Sequence, residues 1–394
     1  MTAGALQSLL DAARAHFARE RRALLDLQRA IASVPSPTAR EERRARFIRE
    51  RLSRSPKHAV SADGAGNVVA RRPGSDSRPV AICAHLDTVF PEGTPVEARL
   101  SGTRLDGPGV TDNARGLAGM LAIAGALEEL DIRTHHPIDF VATVGEEGEG
   151  DLRGAKFYFG ERAGAVAPVA AIALDGAGDE RLVHRAVGSR RFRITFRGPG
   201  GHSWNDFGAA NAVHAAARCA AALSSIVLPS SPRTTLTVAR IEGGLSINAI
   251  PPAATLDVDI RSVSADQIGH LEGELRAAAR RAAMVENEPD KHGEAALALE
   301  ILRIGDRPCG ETPLEEPLAR EALAITRALG REPEPAGSST DASAAIALGI
   351  PAIAIGAGGQ GGGTHTLDEW YEDVDGASGL ARAAAIVVAA AGTT

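Results

Sequence analysis

Cysteine, aromatic residues and long apolar runs are all scarce in this chain of 394 residues. The three cysteines, Cys83, Cys219 and Cys309, lie far apart without C-x-x-C spacing, which argues against a disulfide framework and against a thiolate metal site. Aromatic residues make up only 3% of the chain, so its core must be built from Ala, Val, Leu and Ile. No stretch approaches the ~18 apolar residues needed to span a bilayer. We therefore expect a soluble protein of a reducing compartment, the cytoplasm.

Blocks of basic residues are also missing. The formal net charge is −7, and no Lys/Arg-rich block interleaves with aromatic residues, so the composition argues against nucleic acid as a partner. The N-terminal segment repeats apolar residues at helical spacing but carries acids and bases throughout, unlike the apolar region of a signal peptide. A hydrophobic content of 44% over this length is sufficient for two domains with a sizeable core.

Strand and helix patterns alternate from residue 79 to residue 175. "PVAICAHLDTVF", "PIDFVATVG" and "VAPVAAIALDG" are predicted to be strands with two apolar faces, and "GLAGMLAIAGALEEL" is predicted to be a helix. This pattern is typical of a mostly parallel sheet that helices cover on both sides. The same pattern of alternating helices and strands returns after about residue 306, with a helix, the strand "IPAIAIGAG" and a final helix. The segment "REPEPAGSS" (331–339) is predicted to be a loop.

The intervening segment, 187–305, has a different character. "RRFRITFRG" alternates polar and apolar residues, as a half-exposed strand does. The elements of this segment follow in the order β-α-β-β-α-β, which is the order of a ferredoxin-like domain. We therefore predict an α/β domain made of residues 1–186 and 306–394, interrupted by a smaller inserted α+β domain at 187–305.

Acidic residues crowd together in "TVGEEGEGD" (143–151), directly after a predicted strand. A solvated turn would explain the run, because Gly and acidic residues are common in loops. The position favours a second interpretation, since ligands and catalytic groups of α/β folds lie at the carboxyl ends of strands. Glu146 and Glu147 would point to opposite sides of the strand end, so one could bind a cation while the other transfers a proton.

Histidines and further carboxylates follow other strands of the same predicted sheet. The candidates are His85 and Asp87 in "AHLDT", Asp112 in "GVTDNARG", Asp175 in "ALDG" and His365 in "GGGTHTLDEW". Taken singly, a strand-end histidine is usually structural and an Asp before a helix is usually an N-cap. Several such groups on one edge of one sheet favour a metal site, and imidazoles with carboxylates suit Zn²⁺, Mn²⁺ or Co²⁺. Their number exceeds what one tetrahedral ion needs, so two metal ions are indicated.

Other motifs carry no function of their own. "GAGGQG" (356–361) fits G-x-G-x-x-G after a strand, but no further βαβ unit follows it, which argues against a dinucleotide site. The chain contains neither a G-x-S-x-G nucleophile elbow nor a Walker-type phosphate loop. The remaining histidines that we considered are predicted to be structural or surface residues: His135, His136, His184 and His214.

A series of motifs covers nearly the whole chain, in the order "HLDT", "GVTDNARGLAG", "TVGEEGEGDLRGAK", "ALDG", "GPGGHSW", "INAIP", "DVDIR" and "GGGTHTLDEW". Together they resemble the M20 family of dinuclear metallopeptidases, and within it the peptidase T group of aminopeptidases. The resemblance implies that His85 and Asp175 hold one metal ion. Glu147 and His365 would hold the second ion, with Asp112 as the bridge between the two.

The same resemblance assigns roles beyond the metal ligands. Glu146 matches the general base, which takes a proton from the water that the two ions share. Asp87 matches a carboxylate that orients the imidazole of a metal-bound histidine. In the inserted lid and dimerisation domain, His202 matches a histidine directed at the oxyanion of the tetrahedral intermediate, often from the other subunit of a dimer. Asn248 and Arg261 match a pair that binds the substrate backbone or carboxylate.

Two departures from the family pattern bear on function. Many relatives have a second Asp followed by Lys-Gly after the bridging Asp, whereas this chain has Asn113-Ala114-Arg115. At position 175 this chain has Asp, which is usual in the aminopeptidase and dipeptidase branches. Carboxypeptidases and several acyl-amino-acid hydrolases more often have Glu there, so Asp175 favours a substrate with a free α-amino group.

These observations predict a cytoplasmic, homodimeric exopeptidase that uses two divalent ions, Zn²⁺ or else Co²⁺ or Mn²⁺, to remove the N-terminal residue of a short peptide. The alternative with the same chemistry is an amidohydrolase of N-acyl or N-carbamoyl amino acids. From another class, the alternative is a metal-dependent binding protein without catalysis. Glu146 argues against that alternative, because a binding protein needs no base. No membrane or nucleic-acid partner is expected.

Overall fold

The computed structural model describes residues 2–161, 166–288 and 296–393. The chain forms two compact units. The first unit comprises residues 1–186 and 311–394, and the second unit comprises residues 187–310. Among the described helices, none combines the length and the apolar character needed to cross a membrane.

Helices and strands follow one another along most of the described residues. The helices are, in chain order, α1 (Ala3–Arg19), α2 (Arg21–Ala32), α3 (Glu42–Leu52), α4 (Ala114–Glu129), α5 (Arg153–Lys156), α6 (Ala212–Ser224), α7 (Ala265–Glu286), α8 (Pro317–Ala328), α9 (Ala342–Ile346) and α10 (Gly376–Ala391). The strands are β1 (Ala59–Ala62), β2 (Val68–Arg72), β3 (Val80–His85), β4 (Arg99–Ser101), β5 (Arg104–Asp106), β6 (Ile138–Thr143), β7 (Ala170–Leu174), β8 (Arg181–Ala186), β9 (Gly188–Arg197), β10 (Gly201–His202), β11 (Thr234–Gly243), β12 (Ala249–Ile250), β13 (Ala253–Ser262), β14 (Ala298–Arg307), β15 (Gly310–Glu311), β16 (Glu334–Ser338), β17 (Ala352–Ile355), β18 (Gln360–Gly362) and β19 (Trp370–Glu372).

A nine-stranded sheet organises the first unit. Its order is β1-β2-β6-β3-β7-β17-β8-β15, with β16 beside β8. The four central strands, β6, β3, β7 and β17, run parallel to one another, and every residue in them is buried. Strands of this kind need apolar residues on both faces because both faces are covered. The predicted α/β class with a mostly parallel sheet is confirmed.

Alternate residues of the central strands contribute to two hydrophobic clusters, one on each face of the sheet. Ile82 and Phe140 belong to the cluster that includes residues of α4 and α10. Cys83 and Val141 belong to the cluster that includes residues of α9. Aliphatic side chains and alanine supply most of both clusters, as the low aromatic content requires.

The parallel register brings the ends of several strands to one edge of the sheet. β3 ends at His85, β6 at Thr143, β7 at Leu174 and β17 at Ile355. Because these strands are parallel neighbours, the segments that follow them emerge at the same edge, where ligands bind in open α/β sheets. The segments that carry the predicted metal ligands therefore leave the sheet next to one another.

The second unit is an antiparallel sheet with two helices. The sheet order is β11-β13-β9-β14, and α6 and α7 pack with it around one hydrophobic cluster that includes Phe192, Phe196 and Leu275. Burial along β13 alternates residue by residue, as expected for a sheet with one covered face. The chain order of these elements is β-α-β-β-α-β, and the predicted ferredoxin-like class is confirmed.

The sequence prediction was wrong for the segment 331–339. It was predicted to be a loop, but its second half forms β16, which pairs in parallel with β8. This strand contains Pro335 and is largely exposed, so it lacks the apolar signal of a strand, and its place at the side of the sheet is where proline is tolerated. The unit boundary also lies later than residue 305, because β14 continues to Arg307.

Candidate metal centre

The predicted ligands lie at strand ends and in the loops beside them. His85 is the last residue of β3, and Asp175 directly follows β7. Glu147 follows the end of β6, Asp112 lies shortly before α4, and His365 lies in the loop between β18 and β19. Asn113 caps α4, because its side chain accepts a hydrogen bond from the Gly116 N–H, so Asp112 itself is not the cap.

Asp112 lies between two pairs of the other predicted ligands. Its Oδ1 is 2.8 Å from His85 Nε2, and Asp175 Oδ1 is 3.9 Å from the same nitrogen. Its Oδ2 is 3.1 Å from His365 Nε2, which is also 3.0 Å from Glu147 Oε1. Each oxygen of Asp112 therefore faces one histidine, and each histidine has a second carboxylate beside it.

The His85 ring is oriented by the segment that follows it. Its Nδ1 lies 3.0 Å from the main-chain oxygen of Asp87 and 3.6 Å from the nearest carboxylate oxygen of the same residue. The shorter contact is the hydrogen bond, because 3.6 Å is beyond hydrogen-bond range. Donation from Nδ1 leaves the lone pair of Nε2 for a metal ion, as is usual for metal-bound histidine.

The carboxylate of Asp87 holds the glutamate pair in place. One of its oxygens accepts the main-chain N–H of Glu146 and the other accepts the N–H of Glu147, each at 2.9 Å. Thr38 Oγ1 also donates to it at 2.9 Å. Burial raises the pKa of Asp87, but His85 and the two amides outweigh burial and keep that pKa below its ordinary value. Asp87 therefore stays ionised and fixes the direction of the chain at 146–147.

Burial and mutual repulsion perturb the ionisation of this cluster. Burial, followed by the charge of Asp112, raises the pKa of Asp175 to about 7 and also raises the pKa of Glu147. The hydrogen bond with Asp112 raises the pKa of His365 to about 9. Burial opposes ionisation of Asp112, but the contacts with His365 and His85 keep its pKa below the ordinary value. A protonated His365 thus offsets part of the negative charge, a task that divalent cations can take over.

The donor atoms fit divalent metal ions. Asp112 Oδ1 accepts no hydrogen bond from any residue that the structure describes, although His85 Nε2 lies only 2.8 Å away. A buried carboxylate oxygen without a donor is open to a cation, and the neighbouring imidazole nitrogen could bind the same ion. Imidazole nitrogens and carboxylate oxygens without thiolates suit Zn²⁺, Mn²⁺ or Co²⁺.

Glu369 is an organising residue that the sequence analysis did not identify. It is fully buried, and its carboxylate accepts the main-chain N–H groups of Gly109, Thr111 and Asp112, each at 2.8 Å. It therefore connects the loop of His365, four positions earlier, to the loop of Asp112. In the sequence, Glu369 is only an acidic residue near the end of "HTLDEW". This position does not indicate which residues it contacts.

Two of the three predicted site residues of the second unit lie close together, and the third lies apart from them. His202 is exposed on β10, which pairs with β12, and its Nδ1 accepts the Trp204 N–H at 3.2 Å. Asn248 lies beside it, because its main-chain oxygen accepts the Ser203 N–H at 3.0 Å. Arg261 lies near the far end of β13, where its Nε donates to Asp259 at 2.6 Å.

Residues 81–392 match the sequence profile of Peptidase family M20/M25/M40. The chain belongs to this family. The matched stretch contains all of the proposed ligands, and the family that the motifs predicted is confirmed.

Similar proteins have different names. A probable carboxypeptidase of Aspergillus clavatus is 29% identical over 263 residues, which are 60% of this chain and 57% of the relative. An N-carbamoyl-L-amino acid amidohydrolase of Geobacillus stearothermophilus is 32% identical over 122 residues, or 30% of this chain and 24% of the relative. The chain thus matches little more than half the length of one curated relative and a quarter of the other.

Solved structures show the same fold over nearly the whole chain. The aminopeptidase PepT from Bacillus cereus has a TM-score of 0.74 at 21% identity, with 94% of this chain and 99% of that chain covered. At this identity the comparison establishes the fold and leaves the substrate open.

Replacing Glu369 with Gln is expected to weaken metal binding. The amide removes the negative charge of Glu369. Its N–H groups would face the main-chain N–H groups of 109–112, which need an acceptor, so the loop of Asp112 is expected to loosen. Outer-shell changes of this kind cost about 10- to 100-fold in metal affinity or activity. The affinity is measured by titrating metal-free protein with Zn²⁺.

The matched control is Asp368→Asn, which removes the same charge from the neighbouring, exposed residue. It should leave the affinity for Zn²⁺ unchanged. Equal affinities of Glu369→Gln and wild type, with both proteins folded by circular dichroism, would show that the amide contacts do not position Asp112.

Proposed function

We propose that this protein is a metal-dependent exopeptidase that removes the N-terminal residue of a short peptide. The observation that carries the proposal is the position of Asp112. Its two oxygens face His85 and His365 at 2.8 and 3.1 Å, so two half-sites share one carboxylate. Glu146 provides a further buried carboxylate next to this set.

In this proposal His85 and Asp175 hold one divalent ion, and Asp112 contributes to it. Glu147 and His365 hold a second ion, to which Asp112 also contributes. When bound, such a pair of ions supplies Lewis-acid chemistry, because it polarises the scissile carbonyl and lowers the pKa of a bound water.

Glu146 is proposed as the general base. The main chain at Glu147 is extended, with φ −79° and ψ 151°, so the side chains of the two glutamates leave opposite sides of the chain. Glu147 is directed at His365, and Glu146 therefore lies outside that ligand pair. Its carboxylate takes a proton from the attacking water and delivers it to the amine nitrogen of the departing product.

Exchanging each glutamate for Gln separates the two roles. Glu146→Gln should keep the metal content of the wild type and lose about 10²- to 10⁴-fold in rate, because general-base catalysis contributes that much. Glu147→Gln should lose metal affinity, since an amide is a poorer ligand than a carboxylate. Metal content is measured by atomic absorption, and the rate is measured at saturating metal.

Removal of all metal with a chelator should abolish hydrolysis in the wild type. Full activity after chelation, or equal loss of metal in the two variants, would contradict this division of tasks.

The choice of a free N-terminus rests on Asp175, the residue typical of aminopeptidase branches, and it is consistent with the fold shared with PepT. The names of the two curated relatives support a second candidate. A carboxypeptidase and a carbamoyl-amino-acid amidohydrolase both act on a bond near a free carboxylate. The second candidate is therefore an amidohydrolase that accepts a blocked amino group and requires the carboxylate.

A panel of four compounds discriminates these candidates: a free tripeptide, its C-terminal amide, its N-acetyl form and the N-carbamoyl form of its first residue. An aminopeptidase should cleave the first two and release the N-terminal residue, detected by mass spectrometry. Faster cleavage of the N-blocked compounds would establish the second candidate. Failure to cleave any of them by protein with its full metal content would favour a binding protein.

The geometry of the second unit bears on how its residues reach a site. His202 and Asn248 lie on the β10–β12 ribbon, next to the start of β13 at Ala253. Arg261 lies eight positions further along β13 (261 − 253). Eight steps along a strand span about 27 Å, which exceeds the length of a dipeptide. One small substrate cannot contact both His202 and Arg261 of the same unit.

We therefore propose that His202 acts in the site of a partner subunit. Trp204 and Phe207, which follow His202 in the chain, and Leu245, shortly before Asn248, are each more than 80% exposed. Exposed apolar patches of this kind are typical of protein interfaces. Because Nδ1 of His202 accepts an amide N–H, its Nε2 carries the proton that an oxyanion requires.

Mixing inactive variants tests this arrangement. His202→Ala combined with Glu146→Gln should recover activity, because one site of each heterodimer then carries both native groups. Random mixing of equal amounts would make about one quarter of the sites native.

Glu146→Gln combined with Glu147→Gln is the matched control and should not recover, since both residues belong to the first unit of the same chain. No recovery in the His202 mixture, with heterodimers demonstrated by differential tags, would contradict the arrangement. Recovery in the control would do so as well.

A further inference from the structure

A second cluster of imidazole and carboxylate groups lies on the surface of the first unit. Asp76 lies shortly before β3, and His135 and His136 lie shortly before β6. β3 and β6 are parallel neighbours, so these residues lie at the edge where the strands begin. The candidate metal centre lies at the opposite edge, where the strands end.

The distances within this cluster match the spacing of metal ligands. Asp76 Oδ2 is 3.6 Å from His135 Nε2 and 3.4 Å from His136 Nδ1, and the three ligand atoms lie within 4.8 Å of one another. Both N···O distances exceed the usual hydrogen-bond length of about 2.7 to 3.2 Å. They are close to the edge of about 3.4 Å that tetrahedral ligands form around Zn²⁺ at bond lengths of about 2.0 to 2.1 Å.

Neighbouring groups hold two of the three ligands in a suitable orientation. Ser75 Oγ lies 2.9 Å from His135 Nδ1, which leaves Nε2 directed at Asp76. The other carboxylate oxygen of Asp76 accepts the main-chain N–H groups of Ser77 and Arg78, so Oδ2 is the oxygen that remains for an ion. Hydrogen-bonded outer partners of this kind are a regular feature of metal sites.

His136 is less well oriented for an ion than His135 and Asp76. Its Nδ1 also lies 2.9 Å from the main-chain oxygen of Arg78, and an ion has to replace that hydrogen bond. The backbone around it is nevertheless well anchored. His135 O accepts the N–H groups of Ser75 and Asp76 at 2.8 and 2.9 Å, so the two loops that carry the ligands are already tied together.

We propose that Asp76, His135 and His136 form a peripheral zinc site with water in the remaining coordination position. Two imidazoles and one carboxylate suit Zn²⁺ or a similar transition-metal ion better than Ca²⁺ or Mg²⁺, which take oxygen ligands. The ion would cross-link the β2–β3 loop to the α4–β6 loop. That loop also binds the C-terminal end of the chain, because His135 N–H and His136 N–H donate to Gly392 O and Ala391 O.

The test compares zinc content at equilibrium. Metal-free, full-length protein is dialysed against a fixed concentration of free Zn²⁺, and bound zinc per chain is measured by atomic absorption. The double variant His135→Ala/His136→Ala should bind one ion fewer than the wild type. Asp76→Asn should show the same loss while leaving both histidines in place, so a folding defect of the double variant cannot account for the result.

The matched control is His214→Ala/His270→Ala, which removes two exposed imidazoles from the second unit and should leave the zinc content unchanged. Hydrolytic kcat and KM should be the same in all of these proteins. Equal zinc content of the wild type and the His135/His136 variant overturns the proposal. So does an equal loss in the control, which indicates unspecific binding to surface histidines. The comparison uses a difference between variants, so it does not depend on how many ions the candidate metal centre holds.

Discussion

The structure depends on holding several carboxylates together at one buried edge of a parallel sheet. Two like charges at about 4 Å repel by roughly 4 kcal/mol at the effective dielectric constant of a protein surface. Burial, followed by the charge of Asp112, raises the pKa values of Asp175 and Glu147. Without cations, a proton on His365 offsets part of the charge. Folding alone leaves the negative charge of this cluster poorly compensated. Bound divalent ions would therefore stabilise the native state.

Carboxylates outside the ligand set keep the cluster in position. Asp87 accepts the N–H groups of Glu146 and Glu147, and Glu369 accepts three N–H groups from the loop of Asp112. Glu41 accepts the N–H of Gly145 in the same way. Hydrogen bonds from amides to ionised carboxylates are stronger than neutral ones. They restrain glycine-rich segments that have little stiffness of their own, and so they set the spacing of the ligands.

The metal centre and the substrate groups depend on different parts of the chain. Hydrolysis of a peptide bond and of an N-carbamoyl bond needs the same base and the same stabilisation of a tetrahedral intermediate. The proposed substrate-binding residues, Asn248 and Arg261, are in the second unit. A shared fold does not determine the substrate, and the relatives accordingly have different names.

The sequence alone determined the features that have a local signal. Apolar residues on both faces predicted the strands that end at His85 and Thr143, and residue types at strand ends predicted the proposed ligands. Only the tertiary structure showed that Glu369 contacts Thr111, 258 positions away, that β16 is a strand, and that the β10–β12 ribbon with His202 lies next to the end of β13 opposite to Arg261. The reason is physical: periodicity along the chain records which side of an element is buried, whereas contacts between distant segments are decided by strand order and register.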